Sequence, residues 1–539
     1  MVWLKNFSEK KKMSDLIVIV QEGKLKGAEL ESSLGSRYIA FRGIPFAASP
    51  VGELRFKDPQ PPEPWTGVKD TSDVNEYICS QIQDAPPLII GNEDCLYLNV
   101  YTNSLSQSKK SVMFWIHDGA FTIGSSSFQH FRPDYLLAKD VVVVTTNYRL
   151  GAFGFLNLGD KVAPGNQGLK DIIAALEWVR ENIASFGGDP GNVTIFGVSA
   201  GAALTHALLI SPRAKGLFHK AIMQSGSMKS FWAVNQSLPE RGFNLAKYLG
   251  NLSNDPVEVV EFLRTVPAED IARAQTALLS KEEKLSFNLA FGMNSDEIAE
   301  NPVLPEPIEQ LIEKEVDIPV MASHTSNEFI MFLQNKSEQL VRIFNLYLLT
   351  HVRNLGSLKM LDDEKVKNLY VSVKKRYFNG KSITANDFDK LTEFLGHVYF
   401  AIPAIVWLQD RVRRVTSPSY FCKFSYVGNE KTPTDLLVKR QASGTSHVDD
   451  IAYLLYLPKC KVENPDPPAV GTKDRITLER MTRMWTNFAK TGDPVSIKDE
   501  FVNIEWNPIT MDEFSYLDIG EELRILPVPQ HLLFFERNL

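Results

Sequence analysis

Through the first half of the chain, short apolar runs alternate with amphipathic stretches, a pattern that predicts strands alternating with helices. Leu16 to Val20 is too short an apolar run for a helix and reads as an opening strand, closed by a turn at Glu22-Gly23. Val112 to His117 is a second short apolar strand. Val141 to Arg149 is longer and rich in β-branched residues, which suits a sheet position covered on both faces. From Gly168 to Ser185 the period changes, and Leu169, Ile172, Ile173, Leu176, Val179 and Ile183 fall on one helical face. Gly187-Gly188-Asp189-Pro190 ends that helix, and Val193 to Phe196 returns to strand. That strand runs straight into Gly197-Val198-Ser199-Ala200-Gly201, followed by a small-residue helix from Ala202 to Leu209 that stops near Pro212. Helical patterns dominate from about Lys336 to Leu408 and predict a cap over the sheet. The expected class is α/β, with a large, mostly parallel central sheet flanked by helices. No linker or change of composition divides the chain, so residues 1–539 are expected to form one domain, with a short polar N-terminal extension at about 1–14.

Composition changes this picture little. Apolar residues make up 44% and charged residues 23%, ordinary for a globular chain large enough to bury an active site without a structural metal. The formal charge of −7 disfavours a nucleic-acid partner and gives no attraction to anionic lipid. Met1 to Lys12 is polar and Leu16 to Val20 is too short for a signal-peptide core, so the chain is expected to be cytoplasmic; secretion stays open if the start site differs. No run of about twenty apolar residues is read, so no membrane span is expected. A monomer is the default.

Cys79 and Cys95 bracket a loop and are candidates for a disulfide, with reduced thiols as the alternative; Cys422 sits in a strand-like run and reads as a buried thiol. No cysteine lies in CxxC spacing, and no HExxH, EF-hand or GxGxxG pattern occurs, so neither metal nor cofactor is expected.

The candidate chemistry lies in the strand–turn–helix unit. Glycines flanking Ser199 allow a turn too tight for Cβ atoms, with the serine projecting at the strand's end. The N–H of Ala200 then opens a helix, where it can donate to a developing oxyanion. The loop His117-Asp118-Gly119-Ala120-Phe121 follows the Val112 strand at the place where a nucleophile-elbow fold supplies its other oxyanion donors, here Gly119 and Ala120.

Several further segments, in order, carry a resemblance. Gly91-Asn92-Glu93-Asp94-Cys95-Leu96-Tyr97-Leu98-Asn99-Val100, Asn147-Tyr148-Arg149-Leu150-Gly151, Phe186-Gly187-Gly188-Asp189-Pro190 and Gln224-Ser225-Gly226 resemble the signatures of the type-B carboxylesterase/cholinesterase family. The pattern is most similar to that of insect α-esterases. The resemblance spans about Gly23 to the last residues and implies an α/β-hydrolase fold with helical insertions capping the active-site gorge. It also implies a serine carboxylesterase acting on small-molecule esters, with xenobiotic or lipid-derived esters as candidate substrates. By the same resemblance, Thr325-Ser326-Asn327-Glu328-Phe329 carries the acid of the triad, Glu328, and Gly444-Thr445-Ser446-His447-Val448-Asp449-Asp450 carries the general base, His447. Trp232 would line the acyl pocket and Ser225 would support the triad from behind. No tryptophan lies between Cys79 and Cys95, which argues against a choline esterase.

The sequence departs from the family at three places. The oxyanion loop reads Asp118-Gly119-Ala120 where three glycines are usual, Val198 replaces a polar residue in the elbow, and Phe329 replaces the glycine after the acid. An inward carboxylate at Asp118 would oppose the developing negative charge. The alternative expectation is therefore a catalytically weakened esterase-like protein that binds or scavenges esters or organophosphates.

Overall fold

Hydrogen bonding assembles eleven strands into one sheet in the computed structural model, which describes residues 16–533 apart from 74, 75, 85, 86, 107, 235–237, 334, 335 and 359. The polar extension expected at 1–14 lies outside the described residues. In chain order the strands are β1 (Ala28–Glu31), β2 (Arg37–Pro45), β3 (Tyr97–Thr102), β4 (Lys110–Ile116), β5 (Val142–Thr146), β6 (Gly188–Val198), β7 (Lys220–Gln224), β8 (Val320–Thr325), β9 (Ser419–Phe424), β10 (Ser515–Ile519) and β11 (Leu523–Pro527). Across the sheet they run β1-β2-β3-β5-β4-β6-β7-β8-β9-β10-β11. From β5 to β10 every pairing is parallel, and β1, β2, β3 and β11 are antiparallel additions at the edges.

The parallel centre is covered on both faces, and the alternation along each strand shows how. Phe114 and Ile116 of β4 join Val142, Val144 and Ile195 in one core beneath α1 (Gln167–Asn182) and α2 (Ala200–Ile210). Met113 and Trp115 join Val143, Phe196 and Val198 in the other. The cap is built from α3 (Glu338–Ser357), α4 (Asp363–Phe378), α5 (Phe388–Gly396) and α6 (Ile402–Arg411), and α7 (Lys473–Thr491) packs Trp485 and Phe488 into the second core.

Two expected strands sit differently from their sequence reading. Ile17–Val20 does form a strand, but it pairs with Gly23–Lys26 in a separate small sheet. The Val141 to Arg149 run stops as strand at Thr146 because its last residues serve the loops. Asn147 accepts from Ser126 N–H and donates to the carbonyls of Tyr77 and Cys95, and Arg149 forms a buried pair with Asp171 at 2.7 Å.

Among the described residues one helical run, Ala385–Arg411, is long and apolar enough to cross a bilayer, yet 89% of its most apolar window is buried inside the protein. It is a core helix of the cap. It carries a π-helical turn at His397–Ala401, between α5 and α6, a distortion frequent beside functional sites.

Sheet register sets the site. Gly197 pairs with Ile116, Val198 with Gln224, Gln224 with Ser323, and Thr325 with Phe424. The loops that follow therefore leave one edge of the sheet together, at the carboxyl ends of the strands, where open α/β sheets bind ligands.

Candidate active site

Ser199 links β6 to α2 with φ 57° and ψ −124°, a backbone state costly for a residue bearing a Cβ. The turn closes because both flanking glycines are filled by backbone. A Cβ on Gly197 would lie 2.6 Å from the Gly201 carbonyl, and one on Gly201 would lie 2.1 Å from the Ile116 carbonyl oxygen. Ala120, Phe121, Ser225 and Val448 share the positive φ, so left-handed non-glycine residues gather in these loops.

The acid segment and the histidine loop are latched to each other. Thr445 N–H donates to Ser326 Oγ (2.9 Å), Asn327 N–H donates to the Thr445 carbonyl (2.9 Å), and Met331 N–H donates to Ser446 Oγ (3.0 Å). Thr445 Oγ1 also donates to the Phe424 carbonyl at the end of β9. The latch brings His447 Nδ1 to 2.6 Å from Glu328 Oε2. The other carboxylate oxygen accepts from Ser225 Oγ (2.5 Å) and Thr325 N–H (2.7 Å). Burial pushes the Glu328 carboxyl up, but the His447 charge and hydrogen bond, with the Ser225 and Thr325 bonds, outweigh it and hold the group below the usual range. His447 Nε2 is buried and has no hydrogen-bond partner among the described residues. Phe400 lies 4.6 Å and Phe332 5.4 Å from the His447 ring, centroid to centroid.

The other histidines near the site are committed elsewhere. His117 Nδ1 donates to the Asp118 carbonyl (2.7 Å) while its ring stacks on Tyr148 at 4.4 Å. His324 Nδ1 donates to the Thr325 carbonyl, and His206 Nδ1 accepts from Met228 N–H. Burial lowers the pKa of all three, to about 4 for His117 and His324, so their imidazoles are neutral at pH 7.

His117 instead shapes the loop that follows it. Gly124 packs so closely that an added Cβ would lie 2.4 Å from His117 Nδ1, and Gly119 turns at φ +108° to accept from Thr122 and Ile123. Among the described residues no group accepts a hydrogen bond from the N–H of Gly119, Ala120 or Ala200, which leaves three donors at the mouth of the elbow. Asp118 is part-buried. Burial raises its carboxyl pKa, opposed by the charge of His447, so the two side chains lie within electrostatic reach.

Trp232 donates to the Tyr399 carbonyl (3.0 Å), and its ring edges onto Gly226, between Phe121 (6.3 Å) and Phe400 (5.8 Å). Phe329 is fully buried among Phe287, Phe332 and Tyr399. Cys79 and Cys95 are disulfide-bonded, and Cys422 is a buried free thiol.

Sequence reasoning missed several groups here. Asp450, three residues after His447, accepts from Gln224 Nε2 (2.6 Å), and Trp485 Nε1 donates to Gln224 Oε1 (3.0 Å). The sole local signal was the acidic pair Asp449-Asp450 in the histidine loop. Phe332 reaches His447 from the turn that Glu328 opens and Phe400 reaches it through the cap, and nothing in their local sequence marks them.

Residues 14–532 match the model of the carboxylesterase family. The chain is 34% identical to esterase FE4 of Myzus persicae over 513 residues, covering 92% of this chain and 88% of that protein. It is 33% identical over 522 residues to the juvenile hormone esterase of Tribolium castaneum, covering 92% and 86%. Among solved structures, the juvenile hormone esterase of Manduca sexta with OTFP covalently attached superposes with a TM-score of 0.84 at 28% identity, covering 96% of this chain and 98% of that one.

Proposed function

The chain belongs to the carboxylesterase family and is a carboxylic ester hydrolase of the α/β-hydrolase fold, and from that premise we propose that Ser199 is its nucleophile in an acyl-serine mechanism. His447 Nε2 takes the Ser199 proton as Oγ attacks the ester carbonyl. Glu328 fixes the imidazole tautomer through Nδ1 and stabilises the imidazolium. The unused N–H groups of Gly119, Ala120 and Ala200 receive the oxyanion, where loss of one donor typically costs about 10²–10³ in rate. The imidazolium returns its proton to the departing alcohol, water then attacks the acyl-enzyme with His447 as base, and Ser199 is regenerated. Phe121, Trp232, Phe332 and Phe400 form an uncharged aromatic wall beside this centre, which suits neutral, apolar acyl groups, as in many xenobiotic and lipid-derived esters. The whole chain would act as one catalytic unit.

The observation that carries this reading is the buried Glu328–His447 pair at 2.6 Å, backed by Ser225 and Thr325, with Nε2 left without a partner. Hydrolysis of p-nitrophenyl butyrate should fall by about 10⁵–10⁶ in Ser199→Ala. Activity that survives the substitution would assign the nucleophile elsewhere.

A second reading, weakened turnover with retention of esters or organophosphates, is favoured by the Asp118 carboxyl lying within electrostatic reach of His447 on the candidate oxyanion loop. An ionised group there opposes the oxyanion. On this reading Asp118→Gly raises kcat by about 10-fold or more, and an unchanged kcat removes it. The Cys79–Cys95 bond also favours an oxidising compartment over the cytosol expected from the N-terminal residues.

A further inference from the structure

Away from this centre, Glu393, His397 and His531 bring one ligand atom each to within 4.8 Å of one another, and among the described residues no other trio of metal-ligating side chains does so. Glu393 and His397 are four residues apart at the end of α5, so they share a helix face; His531 comes from the segment beyond β11. The rings of His397 and His531 lie 5.7 Å apart, both against Tyr377. We propose that these three side chains bind a divalent first-row cation of the zinc class, joining the C-terminal segment to the helical cap.

Two imidazoles and one carboxylate form a donor set typical of zinc with an open fourth position. Tetrahedral bonds of about 2.0–2.2 Å place ligand atoms roughly 3.3 Å apart, so the trio must close by about 1.5 Å at most. The exposed Glu393 and part-exposed His531 side chains have room to make that movement. His397 Nδ1 is engaged with Tyr377 Oη at 2.8 Å, which leaves Nε2 to ligate, an outer-shell contact common for metal-bound histidine.

One interaction competes. Arg376 Nη2 donates to His531 Nδ1 at 3.0 Å, and both Arg376 and Lys390 act electrostatically on Glu393. Arg376 is exposed on α4, so it can swing away when a cation takes its place. The metal would therefore replace an arginine clasp with a stronger one. His397 also opens the π-helical turn that sets Phe400 against His447, so the staple would brace a wall of the candidate active site.

The test is calorimetric titration of the EDTA-stripped full chain with zinc chloride, with cobalt(II) absorption as an optical check on the ligand set. One equivalent should bind, raise Tm, and lose about 10-fold or more in affinity in Glu393→Gln and in His531→Ala. Arg376→Ala removes only the competitor, so it should tighten binding and keeps the test decisive if a ligand variant misfolds. No saturable binding to the wild type, equal affinity in wild type and both ligand variants, or weaker binding in Arg376→Ala overturns the proposal.

Discussion

Two buried carboxyl groups beside His447 are pushed in opposite directions by their surroundings. For Glu328, burial alone would raise the pKa, yet the His447, Ser225 and Thr325 contacts prevail and lower it. A carboxyl depressed in the folded state contributes stability that is present above its unfolded value and lost as pH falls through the folded one. Ser225→Ala deletes one hydrogen bond to this buried charge and should cost about 1.5–3 kcal/mol at pH 7. The acid-side loss of stability should also be smaller, because the folded-state pKa moves up toward the unfolded value at which the loss begins. Superposable curves of Tm against pH for wild type and variant would show that Ser225 does not hold the charge. Asp450 shows the reverse balance. Burial raises its carboxyl to about 7, with the Glu328 and Asp449 charges adding to the rise and the Gln224 bond and His447 charge opposing it. The Cys422 thiol on β9 also lies within its field, and Asp450 Oδ1 has no hydrogen-bond partner among the described residues. A raised carboxyl contributes stability that is complete below its unfolded value and lost as pH rises through about 7. Asp450→Asn should therefore lose less Tm than the wild type between about pH 5.5 and 8.5. Equal losses would mean that Asp450 does not titrate in that window.

The strand–elbow–helix element was legible in the sequence because its physics is local. Gly197 and Gly201 are demanded by contacts with their own turn and with the neighbouring strand end, and such demands leave a fixed spacing of small residues. Gly201→Ala tests the geometry. Its Cβ would meet backbone oxygens of Ile116 and His117 at 2.1 and 2.8 Å, and neither can rotate away. The expected cost is about 1–3 kcal/mol of stability. The activity loss should be larger, near 10²-fold, because α2 carries the Ala200 N–H and must shift off β4. A variant with wild-type kcat would show that the elbow is looser than these contacts imply. Other parts of the site were legible only through family resemblance, and some not at all. Ser225 and Glu328 meet because β7 and β8 are neighbours in the sheet, an order that no local pattern encodes. Phe400 reaches His447 through a π-helical turn that the apolar period of the cap helices does not reveal. The strand expected over Val141 to Arg149 ended early for a related reason: Asn147 and Arg149 satisfy loop carbonyls and a buried aspartate, uses invisible to propensity.

At the scale of the whole molecule, the disulfide and the candidate oxyanion loop form one mechanical unit. Cys79–Cys95 closes a loop with a sequence separation of 16. Just past Cys79, the Gln81 side chain accepts from Gly124 N–H and donates to the Gly124 carbonyl, both at 2.8 Å. Gly124 in turn packs against His117 and the Asp118 carbonyl, at the base of the turn that presents Gly119 and Ala120. On the other side, Asn147 clamps the Cys95 carbonyl at 3.0 Å and holds Ser126 in the same loop. Cross-linking a loop of this length contributes about 3 kcal/mol, chiefly through the unfolded chain. Chain entropy alone would lower Tm on its removal and leave the folded enzyme's kinetics intact. The double contact of Gln81 with Gly124 predicts something more. A Cys79→Ser, Cys95→Ser double variant should lose kcat at 25 °C, far below its own Tm, because the proposed oxyanion donors lose their brace. Gln81→Ala, with the disulfide intact, should reproduce the kinetic loss with a much smaller change in Tm. If the double variant melts earlier but hydrolyses p-nitrophenyl butyrate at the wild-type rate, the cross-link acts on stability alone, and Asn147 suffices to hold the loop.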